Sequence, residues 1–207
     1  RKVAQQECRT RDGTGIEIFA NAGSIAEAEA AVAAGAEGCG LLRTEFLFID
    51  RDDAPTESEQ LDVYQRIATA LAGRPLVLRL MDVGGDKPLH YLPLPHEDNP
   101  ALGLRGVRTA LRHPQLLQAQ LRAALRVMPT GLVRILIPMV TDVSEVRTVR
   151  TVIEEVRADL GVRATSQTPS DRIAVIAIDD QRIANIGRWP WPRNVHARMT
   201  ELLIGAK

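Results

Sequence analysis

Three arginines have a type and placement that could do chemistry, two of them at or near the end of an apolar segment and one between glycines. Arg43 follows the apolar segment 38–42, Arg79 lies within the apolar segment 76–81, and Arg105 lies in a glycine-rich stretch. The planar guanidinium group binds carboxylate or phosphate oxygens through paired hydrogen bonds. Arginines that converge from neighbouring strand ends would therefore form a pocket for a small phosphorylated or carboxylated molecule.

Each of these features also has a structural explanation. Arg43 could simply pair with Glu45 or Asp50 on the following loop, and such surface pairs contribute little. Arg79 has only apolar neighbours, so its burial is costly unless a ligand or a buried carboxylate balances its charge. Glycines could bring backbone N–H groups to the same anion, although a glycine pair alone marks only a turn. These glycines are at positions 84, 85, 103 and 106.

The other reactive side chains give weaker signals. The four histidines have no metal-ligand spacing with a second histidine or a cysteine, so we expect them on loops or at the surface. They are His90, His96, His113 and His196. Cys39 is flanked by glycines and is predicted to be a small buried residue rather than a nucleophile. Arg122 and Arg126 fall on a helical pattern and are expected on a solvated face.

Composition limits the classes of function. The chain has 207 residues, with 26 Lys+Arg and 26 Asp+Glu, and this balance argues against a general nucleic-acid binder. An apolar fraction of 45% is typical of a globular domain, and no apolar run approaches the roughly 20 residues of a membrane span. Two cysteines form no disulfide framework, so a reducing, cytoplasmic setting is expected.

Apolar segments alternate with amphipathic helical patterns. Strands are predicted at residues 15–21, 38–42, 76–81, 133–139 and 173–178. Helices are predicted at 24–35, at 56–72, at 105–126 with a break at Pro114, and after Asp142. Capping boxes begin three of them: Ser24 with Glu27, Thr56 with Glu59, and Asp142 with Glu145. The last helix carries one apolar face, consisting of Val143, Val146, Val149, Ile153, Val156 and Leu160.

This alternation predicts parallel βα units, in either an open doubly wound sheet or a (β/α)₈ barrel. Residues 179–207 differ from the rest, because Trp189 and Trp191 are each followed by a proline and no clean period continues. A segment broken by proline cannot continue a helix or a central strand. We therefore expect an atypical tail, for which a frameshift is one explanation.

Three long motifs in order carry a family resemblance. They are GAEGCGLLRTEFLF at 35–48, LRLMDVGGDKPL at 78–89 and EDNPALGLRGVR at 97–108. The chain resembles the phosphoenolpyruvate (PEP)-binding barrel of PEP-utilising enzymes over roughly residues 10–178. It is similar in particular to enzyme I of the bacterial sugar phosphotransferase system and to multiphosphoryl transfer proteins. The resemblance implies a (β/α)₈ barrel that binds PEP and Mg²⁺ and passes the phosphoryl group to a histidine on a separate domain and then to a phosphocarrier protein.

The resemblance assigns Arg43, Arg79 and Arg105 to the phosphate of PEP, where fixed positive charge stabilises the transferred group. No catalytic or metal-ligating residue is carried over. The family has a glutamate metal ligand in a G-x-M-x-E-x-P-like run at strand five, whereas this chain has IAVIAIDDQ at 173–181. Asp179 or Asp180 could replace that ligand only at a different spacing. The family's later Asn-Asp pair and cysteine have no counterpart here.

Together these features predict a linker remnant at 1–14, the first five βα units of a barrel at 15–178, and an atypical tail at 179–207. The expected function is the PEP-binding part of a PEP–protein phosphotransferase, a kinase-type transferase for sugar uptake, inactive as this chain alone. One alternative is a non-catalytic PEP- or phosphate-binding or regulatory module. Another is a complete small α/β domain whose tail closes the sheet; it would unfold cooperatively, whereas half a barrel should not.

Overall fold

Six strands occur in the part of the chain that the structure describes. The structure is a computed structural model, and it describes residues 8–84, 89–95, 97–99 and 102–161. Two short strands pair antiparallel, β1 (Cys8–Arg9) and β2 (Gly15–Ile16). Four more form a parallel sheet in the order of the sequence: β3 (Phe19–Ala22), β4 (Gly38–Arg43), β5 (Leu76–Arg79) and β6 (Val133–Leu136).

At least one helix follows each of the parallel strands. They are α1 (Ile25–Ala33), α2 (Glu57–Ala70), α3 (Val107–Arg112), α4 (Pro114–Leu125) and α5 (Val143–Leu160). A 3₁₀ turn, Thr44–Leu47, follows β4 directly. Helix α1 packs against α2, α2 against α4, and α4 against α5, so the helices follow the order of the strands. The four parallel strands therefore lack the reversal of strand order that a doubly wound sheet would require.

One face of the sheet is buried under these helices. Strand side chains Cys39, Leu42, Leu76 and Leu78 share one aliphatic core with helix residues, among them Ile67, Leu117, Leu121, Val149 and Val156. The opposite face carries Asn21, Leu41, Val77 and Arg134, and none of these four is fully buried. Because strand side chains alternate between faces, the arginines that end β4 and β5 lie on this second face.

Most predicted elements are confirmed, with three corrections. The predicted strand at 15–21 is two strands, since Gly15 and Ile16 pair back with β1 after a turn in which Gly13 has φ +89°. In the predicted box at Ser24, the hydroxyl caps Glu27 as expected, but the Glu27 carboxylate accepts from Gly23 N at 2.6 Å instead. The boxes at Thr56 and Asp142 form completely.

The third correction concerns the apolar face of α5. Val149 and Val156 are buried, whereas Val143, the first residue of the helix, is 63% exposed. Among the described elements, α5 packs mainly against α3 and α4. The predicted break at Pro114 is confirmed, since α3 ends at Arg112 and α4 begins at Pro114. None of the described helices is long and apolar enough to cross a bilayer. The predicted strand 173–178 and tail 179–207 lie outside the described residues.

Candidate anion-binding site

Arg43 and Arg79 lie side by side at the C-terminal ends of two neighbouring strands. They are register partners, as the last residues of β4 and β5. Neighbouring strands are about 4.8 Å apart, so two guanidinium groups start from almost the same point on one face of the sheet. Two like charges this close repel each other unless anionic groups lie between or beside them. The sequence prediction that these arginines come together is confirmed.

Two buried carboxylates hold Arg79 and link it to Arg105. Arg79 Nη2 donates to Glu45 Oε1 at 2.5 Å, and Arg79 Nη1 lies 3.5 Å from Asp82 Oδ2. The other oxygen of Asp82 accepts from Arg105 Nε at 3.1 Å. The side chains of Glu45 and Asp82 are only 3% and 5% exposed. Asp82 therefore bridges two of the three predicted ligand-binding arginines.

Arg43 is held differently, and the structural alternative considered for it, a pair with Glu45 or Asp50, is wrong. Its Nη2 lies 3.4 Å from Glu27 Oε2, and its guanidinium carbon lies 5.0 Å from the centroid of the Phe46 ring. Neither Glu45 nor Asp50 forms the predicted pair. The reason is the 3₁₀ turn after β4, which directs Glu45 towards Arg79 of the next strand.

A glycine makes room for the Phe46 ring beside Arg43. A Cβ atom at Gly23 would lie 2.6 Å from the nearest Phe46 ring carbon, closer than real contacts allow. Phe46 is nevertheless 54% exposed, so its other face is open to solvent. The ring and the Arg43 guanidinium group thus form an aromatic and cationic pair at the strand end.

Two buried donors in this cluster have no hydrogen-bond partner among the described residues. They are the Nε atoms of Arg43 and Arg79. Leaving a buried N–H donor unsatisfied costs about 1–3 kcal/mol. In this arrangement both Nε atoms are therefore buried donors with no described acceptor.

The glycines act through close packing of the backbone. A Cβ at Gly84 would lie 2.5 Å from the Leu104 carbonyl oxygen, and Gly84 has φ +147°. At Gly106 a Cβ would lie 2.9 Å from Met139 Cβ. The N–H of Gly106 donates to Val83 O at 3.2 Å, and the N–H of Gly103 donates to Asn99 O. These two N–H groups are therefore engaged within the protein, and Gly85 lies outside the described residues.

Sequence reasoning missed a buried polar network behind the arginines. Its members are Thr44, Gln60, Tyr64 and Gln120, and each is at most 1% exposed. The only available signal was a glutamine on the apolar face of α4, next to Leu117 and Leu121. Burial raises the pKa of the Tyr64 phenol, which keeps it neutral and able to donate.

The described carboxylates do not fit a magnesium site. No group of three His, Cys, Asp or Glu side chains within 8–84, 89–95, 97–99 and 102–161 could hold a metal ion. Glu45 and Asp82 are already engaged by arginines. Asp179 and Asp180 lie outside the described residues. Cys39 is buried as predicted, and burial raises the pKa of its thiol, so it is not activated as a nucleophile.

Comparison with known proteins identifies relatives that match most of this chain. The chain is 50% identical over 152 residues to the multiphosphoryl transfer protein of Rhodobacter capsulatus, a match that covers 73% of this chain and 18% of that protein. It is 48% identical over 151 residues to the phosphoenolpyruvate-protein phosphotransferase of Haemophilus influenzae, covering 73% and 26%. The protein of that name from Staphylococcus carnosus is 43% identical over 159 residues, covering 77% and 28%.

The matched relatives are much longer, since the chain spans 18% to 28% of their lengths. The family model for the PEP-binding domain of PEP-utilising enzymes matches residues 1–178, which contain all three clustered arginines. This chain therefore belongs to the PEP-utilising enzyme family, as a PEP-binding domain.

Proposed function

We propose that this chain is the PEP-binding part of a PEP–protein phosphotransferase and that Arg43, Arg79 and Arg105 bind the PEP phosphate. The observation that carries the proposal is the register pairing of Arg43 with Arg79 at adjacent strand ends, joined to Arg105 through Asp82. Family membership indicates PEP as the ligand, and the arginine side chains are the proposed hydrogen-bond donors to its phosphate.

The carboxylates give the arginines fixed positions rather than a strong net charge. Three arginines and the three carboxylates Glu27, Glu45 and Asp82 sum to zero formal charge. Phosphate recognition then depends on oriented N–H groups, which need no reorganisation when charge develops on a transferred phosphoryl group. Glu45 and Asp82 keep the Arg79 guanidinium group in a single orientation.

The strand order supports a barrel-type arrangement for residues 15–178. Four consecutive parallel strands lie in the order of the sequence, with their helices packed in the same order on one face. A (β/α)₈ barrel is built by repeating this unit, and its ligands bind at the C-terminal ends of the strands. We include residues 1–14 as a linker and 179–207 as an atypical tail in this proposal.

Phosphoryl transfer by this chain is a separate question. The names of the relatives imply transfer from PEP to a protein, which would need a phosphohistidine domain and a phosphocarrier protein as partners. We expect this chain to bind PEP without turnover, because IAVIAIDDQ stands where the family has its glutamate metal ligand. A test is exchange of isotopic label between PEP and pyruvate with Mg²⁺ present, and measurable exchange would contradict this expectation.

Calorimetric titration of the full chain with PEP tests the binding proposal. Arg43→Met and Arg79→Met should each weaken binding at least tenfold, because each removes a charged donor from the cluster. Arg66→Met is the matched control, since Arg66 is an exposed residue of α2 that pairs only with Asp62 among the described contacts. Inorganic phosphate should compete with PEP more strongly than pyruvate does.

Two results would overturn the proposal. One is saturable PEP binding that Arg43→Met and Arg79→Met leave unchanged. The other is equal weakening by Arg66→Met, which would indicate a general charge effect rather than a site. Circular dichroism of each variant checks that the fold is retained.

A further inference from the structure

We propose that Gln120, a buried residue of α4, is a positioning residue for the arginine cluster. The proposal rests on the proposed function, because it assigns Gln120 a role in the same site. Gln120 touches none of the three arginine side chains in the described contacts. It acts on the backbone that carries Arg79 and Asp82, through the polar network behind the sheet.

The carboxamide of Gln120 makes three hydrogen bonds. Its Oε1 accepts from Met81 N at 2.9 Å. Its Nε2 donates to Thr44 Oγ1 and to the Tyr64 hydroxyl oxygen, both at 3.1 Å. An amide N–H can only donate, so the bond from Met81 fixes which end of the carboxamide is oxygen. One side chain thus joins the end of β5, the turn after β4 and helix α2.

Every later bond in the network runs in a single direction. Thr44 Oγ1 donates to the Arg79 carbonyl oxygen at 2.7 Å. Tyr64 donates to Gln60 Oε1 at 3.2 Å, and Gln60 Nε2 donates to the Pro55 carbonyl oxygen at 3.0 Å. Each of the two hydroxyl groups accepts a hydrogen bond from Gln120 and donates a hydrogen bond to the next acceptor. The chain of donors begins at Gln120, so removing its N–H groups affects both branches.

These bonds fix the backbone on both sides of Leu80. The Arg79 carbonyl group is held through Thr44, and the Met81 N–H group is held by Gln120 itself. Arg79 begins this segment and Asp82 follows it, and these two residues carry the ion pairs of the cluster. A shift of this backbone moves a guanidinium group and its carboxylate partner together. Gln120 therefore sets where the N–H groups of the site point.

No other common side chain can make the same set of bonds. Methionine has the length of glutamine but neither donates nor accepts strongly, and a glutamate carboxylate cannot donate to Thr44 and Tyr64. Gln120→Met would thus leave the Met81 N–H unsatisfied while keeping the core filled. Thr44→Val removes the hydroxyl at nearly constant volume and breaks only the branch to Arg79.

The test compares these variants with two matched controls. Gln120→Met and Thr44→Val should each weaken PEP binding about tenfold, at the lower end of the range seen when an outer hydrogen-bond partner is removed from a metal site. Thr44→Ser keeps the hydroxyl and should bind as the unmodified chain does. Gln118→Met places the same substitution at an exposed position of α4 and should also have no effect.

A second readout separates this proposal from the proposed function. The NMR signal of the Arg79 Nε–H group reports the orientation of that side chain without any ligand. It should shift in Gln120→Met and Thr44→Val and stay unchanged in both controls. If the unmodified chain binds no PEP, the proposed function fails, and this signal alone decides the role of Gln120.

Unchanged PEP affinity in folded Gln120→Met and Thr44→Val would overturn the proposal. An unchanged Arg79 signal in both variants would overturn it as well. Should Gln120→Met fail to fold, the comparison of Thr44→Val with Thr44→Ser gives the answer. A loss of affinity in Thr44→Val that Thr44→Ser also shows would point to packing rather than to the hydroxyl and would contradict the positioning role.

Discussion

The charge of Arg79 is balanced inside the protein by Glu45 and Asp82. The three side chains are 18%, 3% and 5% exposed, so the pairs form largely out of water. Removing one partner of such a pair leaves an uncompensated charge and costs about 3–5 kcal/mol. An isolated arginine on an apolar strand is thus explained in part by a structural ion pair. Among the described residues these ion pairs leave the Nε atoms of Arg43 and Arg79 without a hydrogen-bond partner.

Gly84 gives a residue-scale prediction. Gly84→Ala should destabilise the protein by about 3 kcal/mol or more, because the new Cβ meets the Leu104 carbonyl oxygen at 2.5 Å and φ is +147°. The measurement is urea unfolding followed by circular dichroism. The loop of Arg105 would have to move away from Gly84, so PEP binding should weaken as well.

Gly73→Ala is the control for this prediction. Gly73 also has a positive φ, +82°, but a Cβ there meets nothing within 4 Å. Gly73→Ala should lower the free energy of unfolding only by the cost of backbone strain, about 1–2 kcal/mol. Equal destabilisation by the two variants would contradict the claim that Gly84 is needed for close approach of the two loops.

At the scale of elements, Glu57 links α2 to α4. Its two oxygens accept from Arg122 Nε at 2.9 Å and from Arg126 Nη1 at 2.6 Å. Arg122 also donates to Asp159 of α5. Arg122 is therefore less solvated than the sequence predicts, whereas Arg126 is exposed as expected. Burial alone would raise the pKa of Glu57, but hydrogen bonds from Arg126 and Arg122 outweigh it and lower the pKa below the ordinary value.

This lowered pKa predicts a pH-dependent contribution to stability. Because the folded pKa of Glu57 lies below its unfolded value, the stabilisation is present above pH 4.5 and is lost as the pH falls through the folded pKa. Glu57→Gln should therefore destabilise the protein at pH 7, by about 1 kcal/mol for a partly exposed pair. The difference should shrink as the pH falls below 4.5, measured by urea unfolding at several pH values.

Glu155→Gln is the control for Glu57, because Glu155 lies on the exposed side of α5. It should change stability little at any pH. A constant deficit for Glu57→Gln at all pH values would show that the effect comes from packing and not from the ionised carboxylate.

The elements were largely predictable, and their exceptions have local causes. Period and capping signals located four parallel strands, their helices and the break at Pro114, since these signals depend on neighbouring residues alone. The prediction of a single strand at 15–21 was wrong, because Gly15 and Ile16 pair with Cys8 and Arg9. The hydrophobic period of a sequence does not show which strand a segment pairs with. The predicted burial of Val143 was wrong, because a helical period shows which face of a helix is apolar but not how far along the helix other elements pack against that face.

At the scale of the whole molecule, the site is assembled from segments far apart in sequence. Parallel strand order alone brings Arg43 and Arg79 together, and this is why the sequence could name them. The roles of Glu45 and Gln120 could not be named, because they depend on a 3₁₀ turn and on the packing of α4 against segments distant in sequence. One shared core under all four strands makes these positions mutually dependent.

A crystal structure of the chain with bound PEP tests the central claim most directly. The account predicts that the phosphate lies at the C-terminal ends of β4 and β5, within hydrogen-bond distance of the guanidinium groups of Arg43 and Arg79, with Arg105 nearby. The carboxylates of Glu45 and Asp82 should keep their arginine partners. PEP bound elsewhere, such as in the cleft formed by Tyr91, Arg112 and His113, with the arginine cluster unchanged, would contradict the account.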